Sequence, residues 1–312
     1  MKVGLMLGGG GSKGAYQIGI LKAFEEYNFI PEISTIAGTS IGALNGLFLL
    51  GSETCDAIKD AWLYGLNNNP ITNRKKKRKK RENKGLFSME IIREMALLHV
   101  DVDKVRNSET KLYVTSTRMK DPKLSSQVFK WKWEKHTSLI NTSDYPIERA
   151  ISSSTIPIVF GYNKVGESYY IDGGLVDNDP LDPLIEAGCD LIFLVPLHKR
   201  LNVKKYKKTN ITFVNLTPKE VFKEGFLMSH LIALLFNKEV FERRMEYGYY
   251  VGKEMIKQLV SLGILKYHNG QVSKTESKSQ FRYIDTPVYV NANVKLMILK
   301  DKEKLTSKKG DE

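Results

Sequence analysis

Three short stretches of the 312-residue sequence hold residue types that could do chemistry together. Leu7 to Gly19, LGGGGSKGAYQIG, sets Gly9, Gly11 and Gly14 in the spacing G-x-G-x-x-G. A glycine turn between a strand and a helix offers backbone N–H groups to an anion, whether a pyrophosphate or the oxyanion of an acyl transfer. Gly38 to Gly42, GTSIG, is a G-x-S-x-G in which a sharp strand-to-helix turn can lift Ser40 out as a nucleophile. In IDGGLVDNDP, Asp172 precedes Gly173 and Gly174, and glycines there let a second backbone come close. Each stretch has a plainer reading: a helix-opening turn, a serine cap, and a turn or cation-binding loop.

The elements around them decide what the stretches can be. VGLML, Val3 to Leu7, is an unbroken apolar run and predicts a buried parallel strand. Ser12 to Glu26 carries Ala15, Ile18, Leu21 and Phe24 at helical spacing, with Ser12 placed to cap it. A second strand, Ile33 to Ala37, runs into GTSIG and then the helical ALNGLFLLG. Strand, loop, helix, strand and elbow imply an α/β fold, a mainly parallel central sheet flanked by helices in three α/β/α layers. Further strands are expected at 111–116, 127–133, 169–171, 191–196 and 211–215. Beyond Pro218 the chain reads as helical to about Leu262, with a polar stretch and a strand near Val288 to Val290 after it. A single domain over 1–312 is expected, with a basic insertion at 67–84 and a mostly helical part from 216 onward.

That order of elements argues against a nucleotide. A dinucleotide site needs an acidic residue at the end of the second strand, and here that strand hands over to GTSIG. Gly11-Ser12-Lys13-Gly14 is not the order of a Walker loop. An α/β-hydrolase elbow normally follows several strands and uses a later histidine, whereas only one strand and one helix precede Ser40. His198, in VPLHKR after a strand, is the alternative base, and a non-catalytic lipid- or nucleotide-binding module is the alternative from another class.

Hydrophobic and charged fractions of 42% and 27% are those of a globular protein. Of thirteen net positive charges, RKKKRKKR, Arg74 to Arg81, supplies eight. It reads as a solvated excursion that could meet an anionic membrane surface, and no nucleic acid is expected. Cys55 and Cys189 read as reduced, buried thiols. No stretch reaches the length of a membrane span, GFLMSHLIALLF at 225–236 included, so the expectation is a cytoplasmic protein with peripheral membrane contact.

Together the motifs resemble the patatin-like phospholipase family. GGGSKG, Gly9 to Gly14, is similar to its oxyanion motif, with Lys13 where the family carries Arg or Lys. GTSIG is similar to its nucleophile motif and Asp172-Gly173-Gly174 to that of its catalytic Asp. Between them SSSTIPIVF, Ser152 to Phe160, resembles its Ala-Ser-x-Ala-x-Pro-x-x-Phe segment, with Ser152 and Thr155 in place of the alanines and Gly161 in place of a common proline. Asn178-Asp179-Pro180 and Ala187 to Asp190 resemble its later signatures, so the likeness covers about residues 2–197.

The resemblance implies a lipid acyl hydrolase with a Ser40–Asp172 dyad, an acyl-enzyme, and neither cofactor nor metal. Gly9, Gly10 and Gly11 would hold the oxyanion, with Lys13, Gly38, Gly42, Gly173 and Gly174 in support. The substrate would be a phospholipid or related lipid ester. An aspartate of ordinary pKa, about 4, is a weak base for a hydroxyl, so a buried, water-poor cleft is expected around Ser40 and Asp172.

Overall fold

The computed structural model describes residues 1–68, 89–198, 201–217, 220–221, 238–275 and 280–307. The basic run at 74–81 and the apolar stretch at 225–236 lie outside the described residues.

The strands are β1 (Val3–Leu7), β2 (Ile33–Thr39), β3 (Lys111–Met119), β4 (Trp133–Leu139), β5 (Asn163–Val165), β6 (Ser168–Ile171), β7 (Leu191–Val195), β8 (Thr212–Asn215), β9 (Leu265–His268), β10 (Gln271–Lys274) and β11 (Arg282–Ile284). Nine of them form one sheet in the order β11-β8-β7-β1-β2-β3-β6-β5, with β4 also on β3, and β9 and β10 make a separate hairpin. From β11 to β3 every pairing is parallel, while β4, β5 and β6 join antiparallel. The sheet is therefore mainly parallel and flanked by helices.

The helices used below are α1 (Ala15–Glu26), α2 (Ile41–Gly51), α3 (Cys55–Asn67) and α4 (Pro146–Ser153), then α5 (Asp182–Glu186), α6 (Lys238–Ser261) and α7 (Val288–Ser307). Alternation along the central strands divides the core. Val3, Leu5 and Leu7 of β1 and Phe193 and Val195 of β7 join α1, α2 and α6 on one face. Met6, Ile192 and Leu194 point the other way, onto Leu184 of α5 and onto Val203 and Ile211. Both faces being covered is why β1 and β7 are apolar throughout.

The long helix α6 lies against α1 at backbone distance. A Cβ on Gly19 would stand 1.9 Å from the Met245 carbonyl oxygen, and one on Gly248 2.0 Å from that of Tyr16. Small residues at the crossing let the two helices meet this closely, and α6 thereby braces the helix that follows the glycine loop.

Two expected strands are absent. Residues 127–133 form the end of a short helix, Leu124–Val128, and a 3-10 turn, Lys130–Lys132, so that strand β4 only begins at Trp133. Val288 to Val290 opens α7, because Val290 and Val294, four apart, are both fully buried and set a helical period. Ser12 does not cap α1: the glycine loop ends in a 3-10 turn, Gly11–Gly14, and α1 starts at Ala15 without a side-chain cap. Cys55 and Cys189 are buried and unpaired by disulfide, and burial raises both thiols.

Candidate active site

The site begins with a difference in strand length. β2 ends at Thr39 opposite Thr115 of β3, but β3 continues to Met119. On the edge β2 has vacated, Thr117 pairs with Ile171, the last residue of β6. The residue after β2 and the residue after β6, Ser40 and Asp172, are thereby delivered to the same place. Thr117 fixes the second further, donating its hydroxyl to the Asp172 carbonyl at 2.8 Å.

Ser40 sits between β2 and α2 with φ 54 and ψ −124, a conformation few non-glycine residues adopt. The tightness of the turn explains its flanking glycines. A Cβ on Gly38 would lie 2.6 Å from the Gly42 carbonyl oxygen, and one on Gly42 2.1 Å from that of Leu7. The Ser153 hydroxyl on α4 locks the turn, taking the Ser40 N–H at 2.8 Å and donating to Thr115 O at 2.5 Å.

The Ser40 hydroxyl donates to Asp172 Oδ2 at 2.7 Å. The other oxygen, Oδ1, accepts the Gly174 N–H at 2.7 Å. Asp172 is 8% exposed, and burial pushes its carboxyl up to about 6 despite these two hydrogen bonds, which favour the ionised form. The buried position shifts the carboxyl from the ordinary carboxylate range toward neutrality. Gly173 permits the approach, since a Cβ there would stand 2.1 Å from Thr115 O. The Asp172 N–H reaches the Thr155 carbonyl at 2.8 Å, tying the segment that contains Ser153 to both Ser40 and Asp172.

The departures at 152, 155 and 161 are absorbed locally. The Ser152 and Thr155 hydroxyls donate back along α4 to Glu148 O and Ile151 O, at 2.7 and 2.8 Å. Gly161 has φ 80, which a proline could not adopt.

The glycine loop borders Ser40: a Cβ on Gly9 would be 3.1 Å from Ser40 Cβ. Its N–H groups are not equivalent. That of Gly9 donates to Asn178 O at 3.1 Å, so the expected set of three donors is reduced. Those of Gly10 and Gly11 have no hydrogen-bond partner among the described residues. Asn178 also donates from Nδ2 to Gly9 O at 3.2 Å and holds the loop from outside. Beneath it runs a buried polar chain that the sequence did not announce. Trp62 Nε1 donates to Asn45 Oδ1 at 3.0 Å, Asn45 Nδ2 to Gln17 Oε1 at 2.8 Å, and Gln17 Nε2 to Gly8 O at 2.8 Å. Arg244 of α6, 7% exposed, donates to the Ser12 hydroxyl at 2.9 Å.

His198 stands elsewhere. Its Nε2 is 2.5 Å from Asp179 Oδ2, an interaction that raises its pKa, with Lys13 close enough to oppose the rise. Lys13 thus lies within electrostatic reach of His198. The hydroxyl of Ser40 is directed at Asp172 and not at the imidazole.

Comparisons with known proteins agree with the arrangement of motifs. The family model described as patatin-like phospholipase matches residues 5–185, more than half of the chain. A stretch of 44 residues is 61% identical to the lysophospholipase nte1 of Aspergillus terreus (strain NIH 2624 / FGSC A1156), covering 14% of this chain and 3% of that protein. Among solved structures, VipD from Legionella pneumophila is similar with a TM-score of 0.45 at 14% identity, over 82% of this chain and 67% of that one. The ExoU–SpcU complex from the type III secretion system of Pseudomonas aeruginosa gives 0.42 at 16% identity, over 84% and 52%. No helix among the described residues is long and apolar enough to cross a membrane.

Proposed function

Because the chain belongs to the patatin-like phospholipase family, we propose that it hydrolyses carboxylic esters of lipids through Ser40 and Asp172. The observation that carries this reading is the 2.7 Å hydrogen bond from the hydroxyl of a strained, elbow-held serine to a buried carboxylate. Ser40 Oγ attacks the ester carbonyl while its proton passes to Asp172 Oδ2, and the carbonyl oxygen becomes an oxyanion. The N–H groups of Gly10 and Gly11 receive that charge; one well-placed donor of this kind contributes about 3–4 kcal/mol to the transition state. The proton on Asp172 then goes to the leaving alkoxide, giving an alcohol or lysolipid and an acyl-Ser40 ester. Water, deprotonated by Asp172, attacks the acyl carbon, and the collapsing intermediate returns Ser40 and releases a fatty acid.

Burial of Asp172 suits the task. A carboxyl near 6 is a better proton acceptor than one near 4 and is still ionised at neutral pH. The experiment offers a mixed phospholipid panel to the protein and to Ser40→Ala and reads fatty acid and lysophospholipid by mass. Ser40-dependent fatty acid is expected, and its absence for every lipid overturns the assignment in favour of a binding module. A peripheral membrane location would follow from the substrate.

A further inference from the structure

The stretch that folded against expectation is also the most exposed aromatic surface near the site. Within Leu124 to Lys132, Leu124, Val128 and Phe129 are about half exposed and Trp131 is 76% exposed. Phe129 and Trp131 stack on one another with ring centroids 4.4 Å apart, so the two rings form one raised apolar plate. Isolated exposed apolar residues are ordinary, but a stacked pair flanked by two further aliphatics is a contiguous patch.

Charge says what covers it. Lys120, Lys123 and Lys130 lie in and beside this stretch, and none is in a salt bridge among the described residues. Of the two acids that flank the stretch, Asp121 is engaged by the Ser126 hydroxyl at 2.6 Å and by Lys132 at 3.7 Å and feels the charge of Lys123, while Glu134 lies 3.9 Å from Arg118. An aromatic plate with lysines beside it in sequence matches the interface of an anionic bilayer, where rings seat at headgroup depth and each lysine gains from surface charge.

The patch is also connected to the reactive groups. Gln127 Oε1 accepts the N–H of Ile158 at 3.1 Å. Ile158 is half exposed and held at φ 66, a strained value for a β-branched residue. It lies three residues after Thr155, whose carbonyl takes the Asp172 N–H. The buried Gln127 Nε2 has no hydrogen-bond partner among the described residues. The patch therefore borders the segment that orients both Ser40 and Asp172.

We propose that the Phe129–Trp131 plate and its lysines are the surface by which this protein docks on an anionic phospholipid bilayer. The inference rests on the lipid-ester reading for its purpose but is tested without catalysis. In a Ser40→Ala background, flotation with phosphatidylcholine–phosphatidylserine vesicles is compared with and without Trp131→Ala, alongside pure phosphatidylcholine. Trp131→Ala is expected to reduce vesicle binding by about tenfold or more, the loss of roughly 1.4 kcal/mol. Lys130→Glu is expected to weaken binding only to the anionic vesicles, and Trp131→Phe to retain most of it. The fluorescence blue shift on binding should shrink in Trp131→Ala to what the half-buried Trp133 contributes, because Trp62 is buried. With Ser40 restored, Trp131→Ala should hydrolyse a monomeric short-chain ester as the parent does. Unchanged vesicle binding overturns the proposal, as does a lipid-free dimer that Trp131→Ala abolishes. If the parent hydrolyses no ester, the functional assignment falls while vesicle binding still decides this one.

Discussion

Asp172 receives the Ser40 hydroxyl on Oδ2 and the Gly174 N–H on Oδ1, so each carboxylate oxygen has one fixed donor at 2.7 Å. The carboxylate is oriented by its own DGG turn, and the Asp172 backbone carbonyl is held by the Thr117 hydroxyl. Its surroundings, not a partner charge, set its basicity.

The first prediction concerns that basicity. With burial holding the carboxyl near 6, kcat/KM should fall about tenfold per pH unit below that value and be level above it. A pH profile on a monomeric ester, whose own ionisation does not interfere, reads the acid limb directly. A limb near 4 would mean that Asp172 is not the titrating base.

Asp172→Asn should separate activity from stability. A buried carboxylate whose pKa is raised in the folded state binds its proton more tightly there than in the unfolded chain. Its penalty is therefore absent below about pH 4 and fully present above about pH 6. The asparagine escapes that penalty, keeps an acceptor for Gly174 N–H, and cannot take the serine proton. Thermal melts should show the variant more stable than the parent at pH 7.5, the gap closing toward pH 4, with hydrolysis lost throughout.

Gly173→Ala should be damaging out of proportion to one methyl group. The new Cβ would meet Thr115 O at 2.1 Å, and backbone cannot swing aside as a side chain can. Overpacking of this kind costs about 1–3 kcal/mol. The displacement of Asp172 should lower kcat by about 100-fold. Denaturant unfolding and kinetics on one preparation give both numbers.

Asn178→Ala tests the support of the glycine loop. The Gly9 N–H would keep its backbone acceptor, but the Nδ2 bond to Gly9 O would go. The loss of one positioning bond predicts a kcat about tenfold lower with KM nearly unchanged.

His198→Ala distinguishes the aspartate mechanism from a histidine one. Hydrolysis should persist within about twofold, since the imidazole pairs with Asp179. Stability should fall, because Asp179 Oδ1 is already buried without a partner among the described residues and the variant would strip Oδ2 as well. A histidine with a raised folded pKa stabilises most at acid pH and progressively less as pH rises through that pKa. The deficit of the variant should therefore shrink in alkaline buffer.

Much of the framework was legible because it is local. VGLML, GTSIG and DGG each state a strand end or a backbone that must bend sharply, and the glycines of the last two stand where a Cβ would strike a carbonyl. The reading failed where a pattern had two meanings. Val128, Lys130 and Lys132 alternate with Phe129, Trp131 and Trp133 as a strand would, yet Phe129 and Trp131 stack on each other at the surface. Val288-Tyr289-Val290 has strand composition, but burial of Val290 and Val294 selects a helix. The polar chain from Trp62 to Gly8 and the seating of Gly248 on α1 join residues far apart in sequence. No local signal could have announced them.

The extension of β3 past β2 has a consequence for the timing of activity. Ser40 and Asp172 are 132 positions apart and meet only because β3 holds the strands that end in each of them. A chain emerging from the ribosome as far as β3 carries the serine, its elbow and its glycine loop with no proton acceptor. If the two residues act as proposed, hydrolysis cannot begin before β6 pairs with the far end of β3. During refolding, the recovery of ester cleavage should therefore never precede that pairing.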